Sequence, residues 1–179
     1  MDLTSGKVAK DTVAEGDVKA YLGGRGIGLL LAHRLGIGRG ADPYSPDMPF
    51  ILASGPLSGT GVPLSSRATA VFMSPLTRRW SYSTAGGSIS VIMRYAGCDV
   101  LMVTGRASRP VYIVVSPGSA AVRDASSPWG PGTFDAEGQR QAVPGNQSAA
   151  AVTGTTGANL GPFVTLSHQT CSRVCSDRL

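Results

Sequence analysis

The sequence predicts an α+β domain in which β-sheet dominates and helices are few and short. The chain has 179 residues, of which 42% are hydrophobic, and this suits one domain with a real core. Several short apolar runs bounded by turn residues lie between residues 50 and 123, a pattern typical of buried strands. The 24 glycines and 12 prolines indicate many tight turns. Together these features predict strand meanders with a few helices.

The N-terminal part of the chain carries the first helical patterns. Residues 4–10 predict a loop or a strand edge, and residues 11–22 predict a short helix. A glycine-rich break at 23–26 follows, and residues 27–35 resume as a helix that ends at Gly36. These glycines follow a helix and lack the spacing of a dinucleotide-binding fingerprint, so a Rossmann fold is not predicted.

The central part predicts two strands and two glycine-rich loops. Residues 50–53 form a short apolar run, and residues 67–73 are rich in β-branched and aromatic side chains. The first loop joins these strands. The second loop follows residues 74–77 and closes at Gly86 and Gly87. It leads into a helix over 88–95, which has Gly97 as its stop.

The clearest strands lie farther along the chain. Residues 99–104 and 110–116 are read as neighbours in one sheet, and residues 120–123 continue the meander after a Pro-Gly turn. A weak polar helix and two last strands are predicted at residues 134–143, 149–153 and 163–167.

The charge pattern limits the classes of partner. The 16 basic and 11 acidic residues give a formal charge of +5, but the arginines are scattered from Arg25 to Arg178. Scattered arginines without interleaved aromatic residues do not make a nucleic-acid surface, so we expect no nucleic-acid partner. No apolar run approaches the roughly 20 residues needed to cross a bilayer. The first residues carry no secretory signal, so we expect a cytoplasmic protein with no membrane association.

The chain offers few residues for catalysis or metal binding. Its three cysteines are an odd number without the spacing of a zinc site, so neither a disulfide framework nor a closed zinc centre is expected. No Asp or Glu occurs between Met48 and Asp99, so hydrolysis by paired carboxylates has no residues to use there. We therefore predict no catalytic and no metal-ligating residue.

The candidate site is centred on Arg67, which lies between the two glycine- and hydroxyl-rich loops. Exposed N–H groups in glycine turns bind anions, and a guanidinium adds a planar fork of donors that fits phosphate. The residues predicted to contact a phosphate-bearing cofactor are Arg67, Ser65, Ser66, Thr84, Gly86 and Gly87. In a plainer interpretation the loops only connect strands and Arg67 is a solvated residue.

Nine short motifs follow one another along the chain, at residues 21–28, 42–46, 54–60, 74–77, 86–87, 95–99, 105–107, 109–113 and 123–126. In their order and spacing they resemble the N-terminal domain of the aldehyde ferredoxin oxidoreductase family. The resemblance implies a base of two β-sheets that carries a metallopterin. It also implies an enzyme with a tungsten (or molybdenum) bis-pterin and a [4Fe–4S] cluster, which oxidises aldehydes to carboxylic acids and passes electrons to ferredoxin.

The resemblance also assigns residues and boundaries. Arg67 matches the arginine between pterin and cluster, whereas Thr84 stands where the family commonly has an asparagine. It implies a metallopterin-binding domain over residues 1–166 and a divergent tail over 167–179, where the family pattern stops. The cluster and the catalytic residues would then belong to missing C-terminal domains or a partner chain. This chain alone would be inactive and would stably retain neither the metallopterin nor the cluster. The alternative function is a non-catalytic module that binds a small anion or nucleotide, a degenerate remnant of such an enzyme.

Overall fold

The computed structural model describes residues 1–38, 40–125, 149, 151–153 and 166–168, which contain three helices and eight strands. The elements follow the chain in the order α1 (Glu15–Tyr21), α2 (Gly24–Arg34), β1 (Phe50–Ser54), β2 (Ala68–Met73), β3 (Trp80–Ala85), α3 (Ile89–Tyr95), β4 (Val100–Val103), β5 (Val111–Ser116), β6 (Ser119–Asp124), β7 (Ala151–Thr153) and β8 (Leu166–His168). The predicted α+β class, rich in sheet with a few short helices, is confirmed.

The core is built around a four-stranded antiparallel sheet with the order β3-β2-β1-β4. Successive side chains of a strand point to opposite faces, so the sheet buries an apolar layer on each side. On one face α2 packs against Ile51 and Val71 through Ala32. On the other face α3 contributes buried residues to a second cluster that includes Leu52 and Ala68. The two helices therefore cover opposite faces of the same sheet.

The predicted break between two helices occurs with shorter bounds, at residues 22 and 23, because Gly24 and Gly26 already belong to α2. A Cβ built on Gly26 would lie 2.2 Å from the backbone oxygen of Tyr21, and one on Gly28 would lie 2.7 Å from Cγ2 of Val71. Glycine is therefore required by the close approach of α2 to the end of α1 and to the sheet. The predicted helix end at Gly36 is confirmed, because that residue has φ +65° and its N–H bonds to the carbonyl of His33.

The second predicted loop contains a strand that sequence reasoning missed. Residues Trp80–Ala85 form β3, the edge strand paired with β2. Their side chains are half-buried or exposed throughout, because β3 is an edge strand and the helices pack mainly over β1 and β2. The run alternates aromatic and small polar residues, which is the period-2 signal of a half-exposed strand.

The predicted pairing of the strands at 99–104 and 110–116 is wrong. β4 pairs with β1, while β5 pairs with β6 across the Pro-Gly turn. The other edge of β4 is taken by the first residues, since Thr104 N–H donates to the Met1 carbonyl and Leu3 N–H to the Thr104 carbonyl. β5 consequently has no free edge of β4 to join.

The last two predicted strands occur with shifted bounds, as β7 and β8, and they pair with each other. The predicted helix at 134–143 and most of the tail at 167–179 lie outside the described residues. Among the helices that are described, none has the length and apolar character that crossing a membrane requires.

Candidate functional site

One end of the main sheet gathers every predicted site residue, and we call it the site end. The strand pairs Ser54–Ala68 and Ala68–Ala85 stand at this end. Chain direction then leads from β1 into the first glycine loop, and from β3 into Gly86 and Gly87. Antiparallel pairing therefore brings the loops 55–67 and 86–88 side by side, although they are separate in the sequence.

Arg67 is fixed by its backbone while its side chain stays free. Its carbonyl oxygen accepts a hydrogen bond from the Gly55 N–H at 2.8 Å and a second from the Ser58 hydroxyl at 3.3 Å. Ser58 is only 1% exposed, so this second bond lies at the inner side of the loop. The Arg67 side chain is exposed, and no ion pair involves it within the part of the chain that the structure describes. Its guanidinium is therefore available to an external anion.

The two predicted serines play different roles in the loop. The Ser65 Oγ lies 2.8 Å from the Val62 carbonyl oxygen and 3.0 Å from the Leu57 carbonyl oxygen. A hydroxyl has one hydrogen, which is used inside the loop, so Ser65 shapes the loop and offers an anion no donor. Ser66 is half-buried and lies directly before Arg67.

Thr84 lies on the sheet rather than in a loop. It stands opposite the buried Thr69 in the ladder, and directly paired residues share one face. This is the α2 face, because a Cβ built on Gly24 would lie 3.5 Å from Oγ1 of Thr69. Thr84 is exposed, and Gly86 and Gly87 follow it at the surface, with Gly87 at φ +81°. A Cβ built on Gly86 would meet nothing within 4 Å.

Arg94 of α3 stabilises the first loop from the opposite face of the sheet. Its Nη1 donates to the Pro56 carbonyl at 3.2 Å and lies 3.4 Å from the Gly55 carbonyl oxygen. Its Nε lies 3.5 Å from a carboxylate oxygen of Asp99. The charge of Arg94 is thereby partly compensated, in contrast with that of Arg67.

Sequence reasoning missed three residues near the site end: Arg25, Ser58 and Tyr82. Nη1 of Arg25 donates to the Tyr82 hydroxyl at 2.7 Å, and its guanidinium carbon lies 4.7 Å from the centre of the Tyr82 ring. The available signal was an arginine inside a run of glycines at 23–26, a composition that is uncommon in a helix interior.

The described residues contain no group of three or more His, Cys, Asp or Glu side chains that could hold a metal ion. Cys98 is half-buried, and burial raises the pKa of its thiol, with a smaller contribution from the charge of Asp99. A thiol with a raised pKa is a poor nucleophile at neutral pH. What the described residues of the site end offer a ligand is hydrogen-bond donors and the positive charge of Arg67.

Comparison with known proteins gives the family. The chain matches the family described as "Aldehyde ferredoxin oxidoreductase, N-terminal domain" over residues 1–176. It is 35% identical to the tungsten-containing aldehyde ferredoxin oxidoreductase of Pyrococcus horikoshii over 130 residues, which is 73% of this chain and 21% of that protein. It is 32% identical to the enzyme of the same name from Pyrococcus furiosus over 167 residues, covering 93% of this chain and 27% of that protein.

A solved structure has the same fold. The active site complex BamBC of benzoyl coenzyme A reductase, in complex with 1,5-dienoyl-CoA, superposes with a TM-score of 0.88 at 27% identity. The match covers 93% of this chain and 26% of that one. The chain therefore spans about a quarter of the proteins that it matches over most of its length. With the family match extending over almost the whole sequence, the chain belongs to the aldehyde ferredoxin oxidoreductase family, as an N-terminal domain.

Proposed function

We propose that the site end binds the phosphate groups of a tungsten-pterin cofactor, and that the chain is the cofactor-binding part of an aldehyde:ferredoxin oxidoreductase-like enzyme of the cytoplasm. The observation that carries the proposal is the state of Arg67. Two hydrogen bonds hold its carbonyl, at 2.8 and 3.3 Å, and its exposed guanidinium has no carboxylate partner in the described residues.

The groups at the site end fit a phosphate-bearing ligand. Phosphate oxygens are negatively charged hydrogen-bond acceptors at neutral pH, so they need donors and few unpaired carboxylates nearby. Residues 49–98 contain no Asp or Glu, and the carboxylate of Asp99, whose carbonyl accepts from the Ser54 N–H, lies 3.5 Å from Nε of Arg94. Arg67 would donate to phosphate or ring oxygens of the cofactor, while the Thr84 hydroxyl and the N–H groups of Gly86 and Gly87 would add neutral donors. Ser65 and Ser66 would position the arginine.

The cofactor supplies the redox chemistry when it is bound, and the protein supplies binding and electrostatics. This chain's own residues would orient the phosphate end of the ligand. Oxidation of an aldehyde, a [4Fe–4S] cluster and electron transfer to ferredoxin are proposed for the complete enzyme, of which this chain resembles about a quarter. The chain by itself is expected to be inactive.

The loop around the site supports contact with further protein. Leu57 and Val62 are each 49% exposed, and Leu64 is 100% exposed in a left-handed conformation with φ +58°. Three apolar side chains grouped on one loop favour burial against another surface. We propose that later domains of the enzyme, or a partner chain that carries them, cover this loop.

The test is to purify the chain without air and to measure tungsten, molybdenum and extractable pterin. Pterin and metal are expected in detectable amounts below one per chain, because this chain corresponds to about a quarter of its relatives. Arg67→Ala should remove most of both. Arg79→Ala is the matched control, because it removes the same positive charge from an exposed position. Arg79 lies in the turn of the β2–β3 hairpin, at the end of the sheet opposite the site end. Equal pterin and metal content in the two variants would contradict the proposal.

The second candidate is a non-catalytic module that binds a nucleotide or another small phosphate-bearing anion. The free guanidinium of Arg67 favours it equally, because a guanidinium recognises the phosphate and not the rest of the ligand. A chain without metal or pterin that is stabilised against heat by nucleotides, with the stabilisation lost in Arg67→Ala, would identify this function.

A further inference from the structure

We propose that Arg94 is a positioning residue for Arg67, and that it acts through the backbone of the first loop, residues 55–67. This inference rests on the proposed anion-binding role of Arg67, and it goes further by naming the residue that sets where Arg67 stands. A continuous run of contacts leads from the Arg94 guanidinium through Gly55 at the start of the loop to the Arg67 carbonyl.

Helix α3 has one side for the sheet and another for the first loop. The side that faces the sheet carries the buried residues Ile89, Ser90 and Met93. Val91, Arg94 and Tyr95 are three and four positions apart, which places them together on another side of the helix. A Cβ built on Gly59 would lie 3.4 Å from Cε1 of Tyr95 and 3.7 Å from Cγ1 of Val91. The loop therefore packs against two of these side chains and is hydrogen-bonded to the third.

The Arg94 guanidinium holds the first loop at its start. Nη1 donates to the Pro56 carbonyl at 3.2 Å and lies 3.4 Å from the Gly55 carbonyl oxygen. Nε lies 3.5 Å from a carboxylate oxygen of Asp99, which turns the other end of the guanidinium toward the loop. Hydrogen bonds from a charged donor are roughly twice as strong as those between neutral groups. Arg94 therefore restrains the two residues at which the chain leaves β1.

Gly55 connects Arg94 to Arg67. Its carbonyl oxygen faces Nη1 of Arg94, and its N–H donates to the Arg67 carbonyl at 2.8 Å. A Cβ built on Gly55 would lie 3.2 Å from that same carbonyl oxygen, so the two ends of the loop are in close contact. Ser58, which donates the second bond to the Arg67 carbonyl, belongs to the same loop. A shift of Gly55 is therefore passed directly to the backbone of Arg67.

The sheet beneath the loop does not depend on the Arg94 side chain. Ser54, the last residue of β1, donates its N–H to the Asp99 carbonyl at 2.9 Å, and its Oγ lies 3.4 Å from the Ser90 carbonyl oxygen. Both acceptors are main-chain groups, which a substitution at Arg94 leaves in the chain. Loss of the Arg94 side chain should therefore loosen the loop while β1 keeps its place.

The test is a double-mutant cycle of Arg94 and Arg67 on the full chain. The probe is inorganic phosphate at low salt, followed by the NMR shifts of the Gly86 and Gly87 amides. Arg67→Ala should weaken phosphate binding about tenfold, the loss expected for one charge-assisted contact. Arg94→Ala should weaken it about threefold, and the double variant about tenfold in all, because Arg94 acts only through Arg67. A charge that acted on its own would give about thirtyfold in the double variant.

Hydrogen exchange of the Gly55 amide measures the loop without any ligand. Arg94→Ala should speed this exchange about tenfold, because the bond to the Arg67 carbonyl opens more often. Arg94→Lys keeps the charge and a donor, so its exchange rate and its phosphate affinity should lie between those of Arg94→Ala and the unaltered chain. Arg34→Ala is the matched control: it removes a helix arginine that forms two bonds of 2.7 Å with Asp17, and it should change neither quantity.

The outcomes separate this inference from the proposed function. Unchanged phosphate affinity or unchanged Gly55 exchange in Arg94→Ala overturns the positioning role and leaves the role of Arg67 intact. Additive losses in the cycle overturn it as well, since Arg94 would then act as a separate charge. Absence of phosphate binding by the unaltered chain overturns the inference, whereas the proposed function falls only on the metal and pterin analysis. Circular dichroism confirms the folding of each variant, and Arg94→Lys replaces Arg94→Ala in the cycle if the latter fails to fold.

Discussion

Gly28 of α2 lies so close to Val71 of β2 that a Cβ on the glycine would stand 2.7 Å from the valine Cγ2. Val71 is fully buried and β-branched, so it has no flexible end that can move aside. This contact fixes the distance between α2 and the sheet. It also fixes where the first turn of α2, with Arg25, meets the edge strand.

Gly28→Ala is expected to destabilise the domain by about 1–2 kcal/mol, because overpacking outweighs the gain in helix propensity. Gly16→Ala is the matched control, since Gly16 also lies within a helix but has open space around its Cα. The control should be neutral or more stable by up to about 1 kcal/mol. Chemical unfolding of both variants measures the difference, and a Gly28→Ala variant as stable as Gly16→Ala would contradict the packing.

Ser58→Ala is expected to lower the stability of the domain, whereas Ser90→Ala is not. The buried Ser58 hydroxyl donates to the Arg67 carbonyl, so its loss should cost about 1 kcal/mol. The Ser90 Oγ is fully buried and has no hydrogen-bond partner among the described residues. Removing an unsatisfied hydroxyl should leave stability unchanged or raise it by about 1 kcal/mol. The urea unfolding midpoints of the two variants measure these changes in stability. A larger loss of stability for Ser90→Ala than for Ser58→Ala would refute the assigned hydrogen-bonding states of the two hydroxyls.

The Cys98 thiol should react slowly with iodoacetamide at pH 8, because burial and then the Asp99 charge raise its pKa and lower its thiolate fraction. Asp99→Asn removes the negative neighbour, so the pKa should fall and the rate should rise. Asp47→Asn, at an exposed position elsewhere, should not change it. Peptide mass spectrometry measures the alkylation rate of Cys98 separately from that of the other two cysteines. An alkylation rate in the folded chain equal to that in denaturant would show that burial has no effect.

The Asp2 carboxyl should titrate below its ordinary value of 3.8, because the Ser5 hydroxyl and then the Thr4 N–H donate to it. A lowered pKa means that the stabilisation is present above the unfolded value and is lost as pH falls through the folded value. The Thr4 amide chemical shift, followed from pH 5 to pH 2, should therefore show a midpoint below 3.8. Ser5→Ala should move that midpoint upward, and an unchanged midpoint would exclude the hydroxyl as the main cause.

Much of the fold was predictable from local patterns, and so was the place of Arg67 between the two loops of the candidate site. The strands at 50–53 and 67–73 are apolar or β-branched runs, and such runs need no distant partner to be recognised. The glycine at position 36 ends its helix by its own backbone preference. Strand β3 was missed because its serines and threonine resemble loop composition, and the pairing of β4 was mispredicted because its neighbours come from residues 1–3 and 50–53.

The sequence by itself determined the α+β class, the donor-rich composition around Arg67 and the absence of carboxylates between residues 49 and 98. These are properties of local order and composition. Only the tertiary structure decided that the Ser65 hydroxyl donates within its own loop, that Thr84 belongs to a strand, and that Arg25 donates to the Tyr82 hydroxyl. The physical reason is that strand pairing and helix packing join residues 57 positions apart, and neither is encoded in the neighbours of any one residue.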